Sequence, residues 1–153
     1  MSKIQLYQRL AQQADALMAE ETNLIANLAN LSALLFMELE DINWAGFYLY
    51  ENDELVLGPF QGLPACIRIP VGRGVCGTAA STLQTQLVTD VHDFPGHIAC
   101  DAASNSEIVV PIIVHDKLIG VLDIDSPSIA RFDQDDLAGA ELLVNQLVKR
   151  LSA

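Results

Sequence analysis

Cations are scarce in this chain: 8 lysines and arginines stand against 20 aspartates and glutamates, a formal charge of −12. That balance excludes nucleic acid and anionic membrane surfaces as partners, because a polyanion is repelled unless a basic patch gathers the cations, and here they are scattered. Long apolar runs are missing too. The opening MSKIQLYQRLAQQADALMAEE breaks its apolar residues with charges and glutamines, so neither a signal peptide nor a spanning helix is expected there. Cysteine is sparse and odd in number, at Cys66, Cys76 and Cys100. No pair has the C-x-x-C spacing from which zinc sites usually draw their ligands, so no metal is expected. Nor does an odd count without an export signal suit a permanent disulfide framework. A cytoplasmic protein with reduced thiols fits better.

What is present suffices for one domain over residues 1–153, since 51% hydrophobic content can bury roughly 70% of the unfolded surface. Ile4, Leu6, Leu10, Ala14, Leu17 and Met18 recur mostly at three- and four-residue steps and predict a first amphipathic helix. Leu24, Leu28, Leu31 and Leu35 predict a second, capped by Thr22 or Asn23, with Asn27, Asn30 and Ser32 toward another face. Strands then take over. INWAGFYLY and ELVLGPFQG flank ENDE as one hairpin, and EIVVPIIV and KLIGVLDID flank His115-Asp116 as another. CIRIPV reads as a short strand between them, and GTAASTLQT as a short helix. Phe132 to Leu151 closes the chain as a helix with Leu137, Leu142, Val144 and Leu147 inward. The sum is an α+β domain, an antiparallel sheet layered with helices.

GRGVCG at 72–77 matches the G-x-G-x-x-G pattern of dinucleotide loops, but that loop opens a parallel βαβ unit and these strands come in hairpins. Its glycines at a helix start would instead expose backbone N–H groups suited to a small carboxylate. Asp123 and Asp125, two apart in a strand, project from one face, while Leu122 and Ile124 take the other. Glu107 begins the partner strand, and three neighbouring carboxylates repel unless they meet a cation or share a proton. Crowding raises the pKa of at least one, as proton donation to a leaving oxygen requires. A hard cation would accept such oxygen ligands, but no calcium-loop spacing is present.

Cys76, between Val75 and Gly77, reads as a small buried side chain. Cys100 lies in a polar stretch between His97 and Asp101, and Cys66 follows Pro64-Ala65 at a strand edge. Two reachable thiols in a reducing compartment suggest a transient disulfide, whereas no local motif supports hydrolysis by Cys100 with His92, His97 or His115. Trp44 and Tyr48, four apart in one strand, share a face on which an aromatic wall can form.

Together NLANLSALL at 27–35, NWAGFYL at 43–49, LGPFQGLPAC at 57–66, RGVCGTAA at 73–80, FPGHIACDAASNSEIVVPI at 94–112 and GVLDIDSP at 120–127 resemble the free methionine-(R)-sulfoxide reductases, built on a GAF-type domain. The resemblance implies a six-stranded antiparallel sheet flanked by the N- and C-terminal helices, and a small pocket for one free amino acid. It implies reduction of free L-methionine (R)-sulfoxide with no cofactor, a role in oxidative stress, and recycling by thioredoxin. By the same resemblance Cys100 is the nucleophile and Cys66 its disulfide partner, with Cys76 an accessory or rival thiol. Glu107, Asp123 and Asp125 are the pocket acids, and Trp44 and Tyr48 the aromatic wall. The long terminal helices leave room for a homodimer. Two other classes are a GAF sensor that binds a small ligand without turning it over, and a purely structural dimerisation domain.

Overall fold

Two tight turns organise the sheet. Asn52 and Asp53 have φ of 50° and 65°, and His115 and Asp116 have φ of 50° and 64°. Paired positive φ values are those of a type I′ turn, whose twist matches that of the strands it joins, so both predicted hairpins form. The computed structural model of the chain describes residues 1–97 and 103–152. In order these form α1 (Lys3–Met18), α2 (Leu24–Glu38), β1 (Trp44–Glu51), β2 (Glu54–Gly62), β3 (Arg68–Pro70), α3 (Gly74–Thr82), β4 (Gln86–Val88), β5 (Ser106–Val114), β6 (Lys117–Ser126) and α4 (Gln134–Ser152). The six strands make one antiparallel sheet in the order β3-β2-β1-β6-β5-β4, the α+β architecture anticipated from the sequence. Among the described residues no helix is long and apolar enough to cross a membrane.

Alternation splits the central strands between two apolar clusters. Ala45 and Phe47 of β1, Leu122 and Ile124 of β6, and Ile108 and Val110 of β5 face one way, into a core completed by Leu10, Leu28, Leu35, Leu143 and Leu147 of the helices. Their sequence neighbours face the opposite side, where α3 and the candidate site lie. α2 and α4 contact the sheet, and α1 lies against α4 and α2. Asn23, rather than Thr22, caps α2, its Oδ1 accepting from Ala26 N at 2.9 Å.

The predicted stripe of α1 turns out rotated, whereas that of α2 holds and is joined by polar residues expected on another face. In α1, Ile4 and Leu17 are exposed, and the buried set is Tyr7, Leu10, Ala11, Ala14 and Met18. The reason is Gly139 of α4, where a Cβ would come within 2.0 Å of the Tyr7 ring; its absence opens a slot for that ring. The Tyr7 hydroxyl then donates to Oδ1 of Asp136 at 2.8 Å. Asp136, only 1% exposed, also receives Lys3 Nζ at 2.7 Å, the Asp133 amide at 2.9 Å and an Arg131 nitrogen at 3.3 Å. In α2, Asn27 and Ser32 are buried, and the Ser32 hydroxyl donates to the carbonyls of Leu28 and Pro59. Strand β4, Gln86–Val88, has no counterpart among the strands read from individual residues.

Candidate active site

The sheet itself lays out the site. Residues directly opposite in neighbouring antiparallel strands project from the same face. The register aligns Glu107 of β5 with Asp125 of β6, and Asp125 with Trp44 of β1, so these three form one row. The next row is Val109, Asp123 and Gly46, and the one beyond it Pro111, Val121 and Tyr48. All three predicted carboxylates and both aromatics therefore share one face. All five are buried, Glu107 at 8%, Asp123 at 5% and Asp125 at 9% exposure.

Aromatic rings form one side. Trp44 stacks on Phe60 at 5.1 Å between centroids and lies 5.9 Å from Tyr48. Phe60 was not singled out in the sequence; its partner in the register is Gly46, where a Cβ would sit 2.2 Å from that of Phe60. The polar ends of the aromatics reach outward to a single segment. Trp44 Nε1 donates to the carbonyl of Leu63 at 3.2 Å, and the Tyr48 hydroxyl to that of Cys66 at 2.9 Å. The segment between β2 and β3 is thus fastened at both ends by the wall of the pocket.

The start of α3 covers the carboxylates. Cys76 is buried, and its Sγ donates to Oε2 of Glu107 across 3.9 Å. The pocket so formed spans about 530 Å³, open solvent at its mouth included. Arg73, His97 and Ser104 complete its lining. None of these had been singled out as a site residue, although Arg73 interrupts the glycine-rich turn and is the only Lys or Arg lining the pocket among the described residues.

Burial dominates the electrostatics. It pushes the Glu107 carboxyl well above the usual carboxylate range, with the charge of Asp123 adding to it. It pushes Asp123 up in the same way, with Asp125 adding to it. The Cys76 thiol is likewise raised by burial first and by the surrounding acids second. His97 is lowered, by burial and then by the charge of His92, and so offers little counter-charge. Among the described residues neither Glu107 nor Asp123 has an ion-pair partner, and Oδ1 of Asp123 is buried without a hydrogen bond. Such an oxygen is costly unless a donor arrives to meet it. Cys76, Glu107 and Asp123 bring donor atoms within 4.8 Å of one another, a set that could also hold a cation.

Of the three cysteines, Cys76 is a free buried thiol and lines the pocket. Cys66 is half-buried, packs beside the aromatic wall, and has its sulfur in a disulfide. Cys100, the expected nucleophile, lies outside the described residues.

A GAF domain model matches residues 25–150. The free methionine-R-sulfoxide reductase of Escherichia coli (strain K12) is 60% identical over 152 residues, 99% of this chain and 92% of that protein. The chain belongs to the GAF-domain family of free methionine-R-sulfoxide reductases. Two solved structures extend the likeness to the fold. The reductase of Neisseria meningitidis in complex with its substrate has a TM-score of 0.94 at 47% identity, covering 98% of this chain and 90% of that one. The Staphylococcus aureus fRMsr in complex with substrate has a TM-score of 0.91 at 57% identity, covering 95% of each chain. The family's GAF fold accounts for the curled six-stranded sheet with its four helices.

Proposed function

We propose that this chain reduces free L-methionine (R)-sulfoxide to L-methionine in a thioredoxin-containing cytoplasm. The observation that carries the reading is the bare Oδ1 of Asp123 inside a buried acidic wall, which calls for a cationic ligand. A free amino acid brings an ammonium, and relatives whose names specify this substrate share nearly the whole chain.

The ammonium sits on Asp123 and Asp125, the carboxylate meets Arg73 and the N–H groups at the start of α3, and the methyl-thio end lies against Trp44 and Tyr48. Two crowded carboxylates do not both ionise at neutral pH. An ammonium beside Asp123 favours its charged form and leaves the proton on Glu107. Cys100 thiolate then attacks the sulfoxide sulfur, Glu107 delivers its proton to the oxygen, and the oxygen passes to Cys100 as a sulfenic acid while methionine leaves. Cys66 condenses with that sulfenic acid, giving a disulfide and water. The two electrons are restored by thioredoxin. Cys76 is accessory in this scheme, because burial among acids keeps its thiol protonated and a poor nucleophile.

The test is methionine release from pre-reduced enzyme without recycling. Cys100→Ser should release none, and Cys66→Ser about one methionine per enzyme, stalling as sulfenic acid. A burst from Cys100→Ser would end its assignment as nucleophile, and full thioredoxin recycling by Cys66→Ser would move the resolving role to Cys76. Blocking the substrate by N-acetylation and C-amidation should lower efficiency at least roughly 10²-fold, since both charged contacts are lost. Equal efficiency on the blocked form would make the protein a general repair reductase instead.

A further inference from the structure

The segment 62–67, Gly-Leu-Pro-Ala-Cys-Ile, carries no charged or polar side chain except the cysteine, in a chain with a net charge of −12. It nevertheless stands largely in solvent. Leu63 is 62% exposed and Ile67 65% exposed, the most exposed leucine and the most exposed isoleucine among the described residues. They lie three residues before Cys66 and one after it. A single exposed apolar side chain is ordinary; the most exposed leucine and isoleucine among the described residues, both beside one reactive sulfur, are not.

The geometry holds them outward. The carbonyls of Leu63, Cys66 and Ile67 accept hydrogen bonds from Trp44 Nε1, the Tyr48 hydroxyl and the Leu57 amide respectively. With those three carbonyls fastened toward the sheet, the side chains of Leu63 and Ile67, which flank Cys66 in the sequence, remain exposed. A thiolate that attacks this sulfur must come within bonding distance of it, so the molecule carrying that thiolate lies on the same segment. A small dithiol gains nothing from such a surface, but a protein does.

We propose that Leu63 and Ile67 form the docking surface for the protein dithiol that regenerates the enzyme, a thioredoxin-class partner whose reactive pair is set in an apolar surface. The inference rests on the assignment of Cys66 to the catalytic disulfide. One partner thiolate attacks the Cys66 sulfur, forming a mixed disulfide and expelling Cys100 as a thiolate that takes up a proton. The second partner thiol, giving up its proton, attacks the partner sulfur of that bridge and expels Cys66, leaving the partner oxidised and the enzyme reduced by two electrons. Apolar contact brings the two sulfurs together, with no ion pair required.

The experiment compares two reductants on the full-length enzyme: purified thioredoxin with its reductase and NADPH, and dithiothreitol. In the double variant Leu63→Ser with Ile67→Ser, the KM for thioredoxin should rise roughly tenfold or more, as loss of two large apolar contacts would give. Dithiothreitol-driven turnover and the KM for methionine sulfoxide should stay within about twofold of wild type, the margin expected for side chains that do not touch the substrate. An unchanged KM for thioredoxin would overturn the proposal. An equal loss with both reductants would overturn it too, by assigning the two residues to the pocket or its folding. Wild-type recycling by Cys66→Ser with thioredoxin would instead remove the reading beneath it.

Discussion

Two buried carboxylates in this molecule live in opposite ways. Asp136, 1% exposed, is met by a tyrosine hydroxyl, a lysine, an arginine and a backbone amide, so both of its oxygens are occupied and α4 is tied to α1. Asp123, 5% exposed, lies among acids, with one oxygen unmet and its carboxyl pushed up by burial. Burial is nearly equal, so burial alone cannot mark a site. What differs is satisfaction. A carboxylate completed by its own chain serves the fold, and one left incomplete waits for something from outside.

The sharpest way to break this comparison is to neutralise each side in turn. Glu107→Gln should slow the chemical step in single-turnover kinetics by about 10²–10⁴-fold, the usual effect of losing a general acid, while leaving stability unchanged or higher. An unaltered chemical step would take Glu107 out of the mechanism. Asp136→Ala should do the reverse. Removing it leaves the buried Tyr7 hydroxyl unmet and Lys3 with Asp133 alone, and an unsatisfied buried polar group costs about 1–3 kcal/mol, readable in urea unfolding. Single-turnover chemistry below the lowered unfolding temperature should survive. Lost chemistry with intact stability would erase the distinction.

The smallest effect, and the finest test, is in pH. Asp123 and Glu107 have raised folded pKa values, so their contribution to substrate-free stability is full below the ordinary carboxylate pKa and is lost as pH rises through the raised one. Asp123→Asn should therefore match wild type in acid and become the more stable protein as pH rises, at the expense of substrate affinity. Beside Asp136 the sign reverses. Hydrogen bonding from Lys3, more than any other cause, pulls Asp133 down to about 2, so its contribution is present above the ordinary pKa of 3.8 and is lost as pH falls toward 2. Asp133→Asn should lose stability at neutral pH and converge with wild type in acid. Because Asp133 is well exposed, solvent screening keeps that difference below about 1 kcal/mol. Thermal melts from pH 2 to 9 read both curves, and parallel curves would mean that the two regions do not differ as described.

Much of this contrast was legible in the sequence, and for a definite reason. A period of two is simple enough to show through, so Asp123 and Asp125 could be placed on one face with Leu122 and Ile124 on the other, and both hairpins followed from their turns. Glu107 could be placed near them as the start of the partner strand, but its pairing with Asp125 depends on a register shift between Ile112 and Ile113, since the turn at His115-Asp116 alone would set it opposite Ile124. Helical stripes were harder. The burial of Tyr7 depends on a missing side chain at Gly139, more than a hundred residues away, and no local pattern carries that. The same holds for Phe60, admitted by Gly46 across a strand pair, and for Asp136, whose partners Lys3 and Tyr7 come from α1. Arg73 was in plain sight, but only the fold turns it toward the pocket. Pairwise vacancies and long-range ion partners are properties of the folded chain, whereas alternation and turn chemistry are properties of a short stretch.

Strand β6 gives Leu122 and Ile124 to the core and Asp123 and Asp125 to the pocket, residue by residue. Any slide of that strand by one position would exchange them, so it has no neighbouring register to drift into. Inheritance of such a site is correspondingly lopsided. Register holds the acidic floor in place, whereas the cover, the first turn of α3 and the short segment carrying Cys66, lies outside that constraint. A lineage could retool its chemistry there many times over without once disturbing the floor beneath.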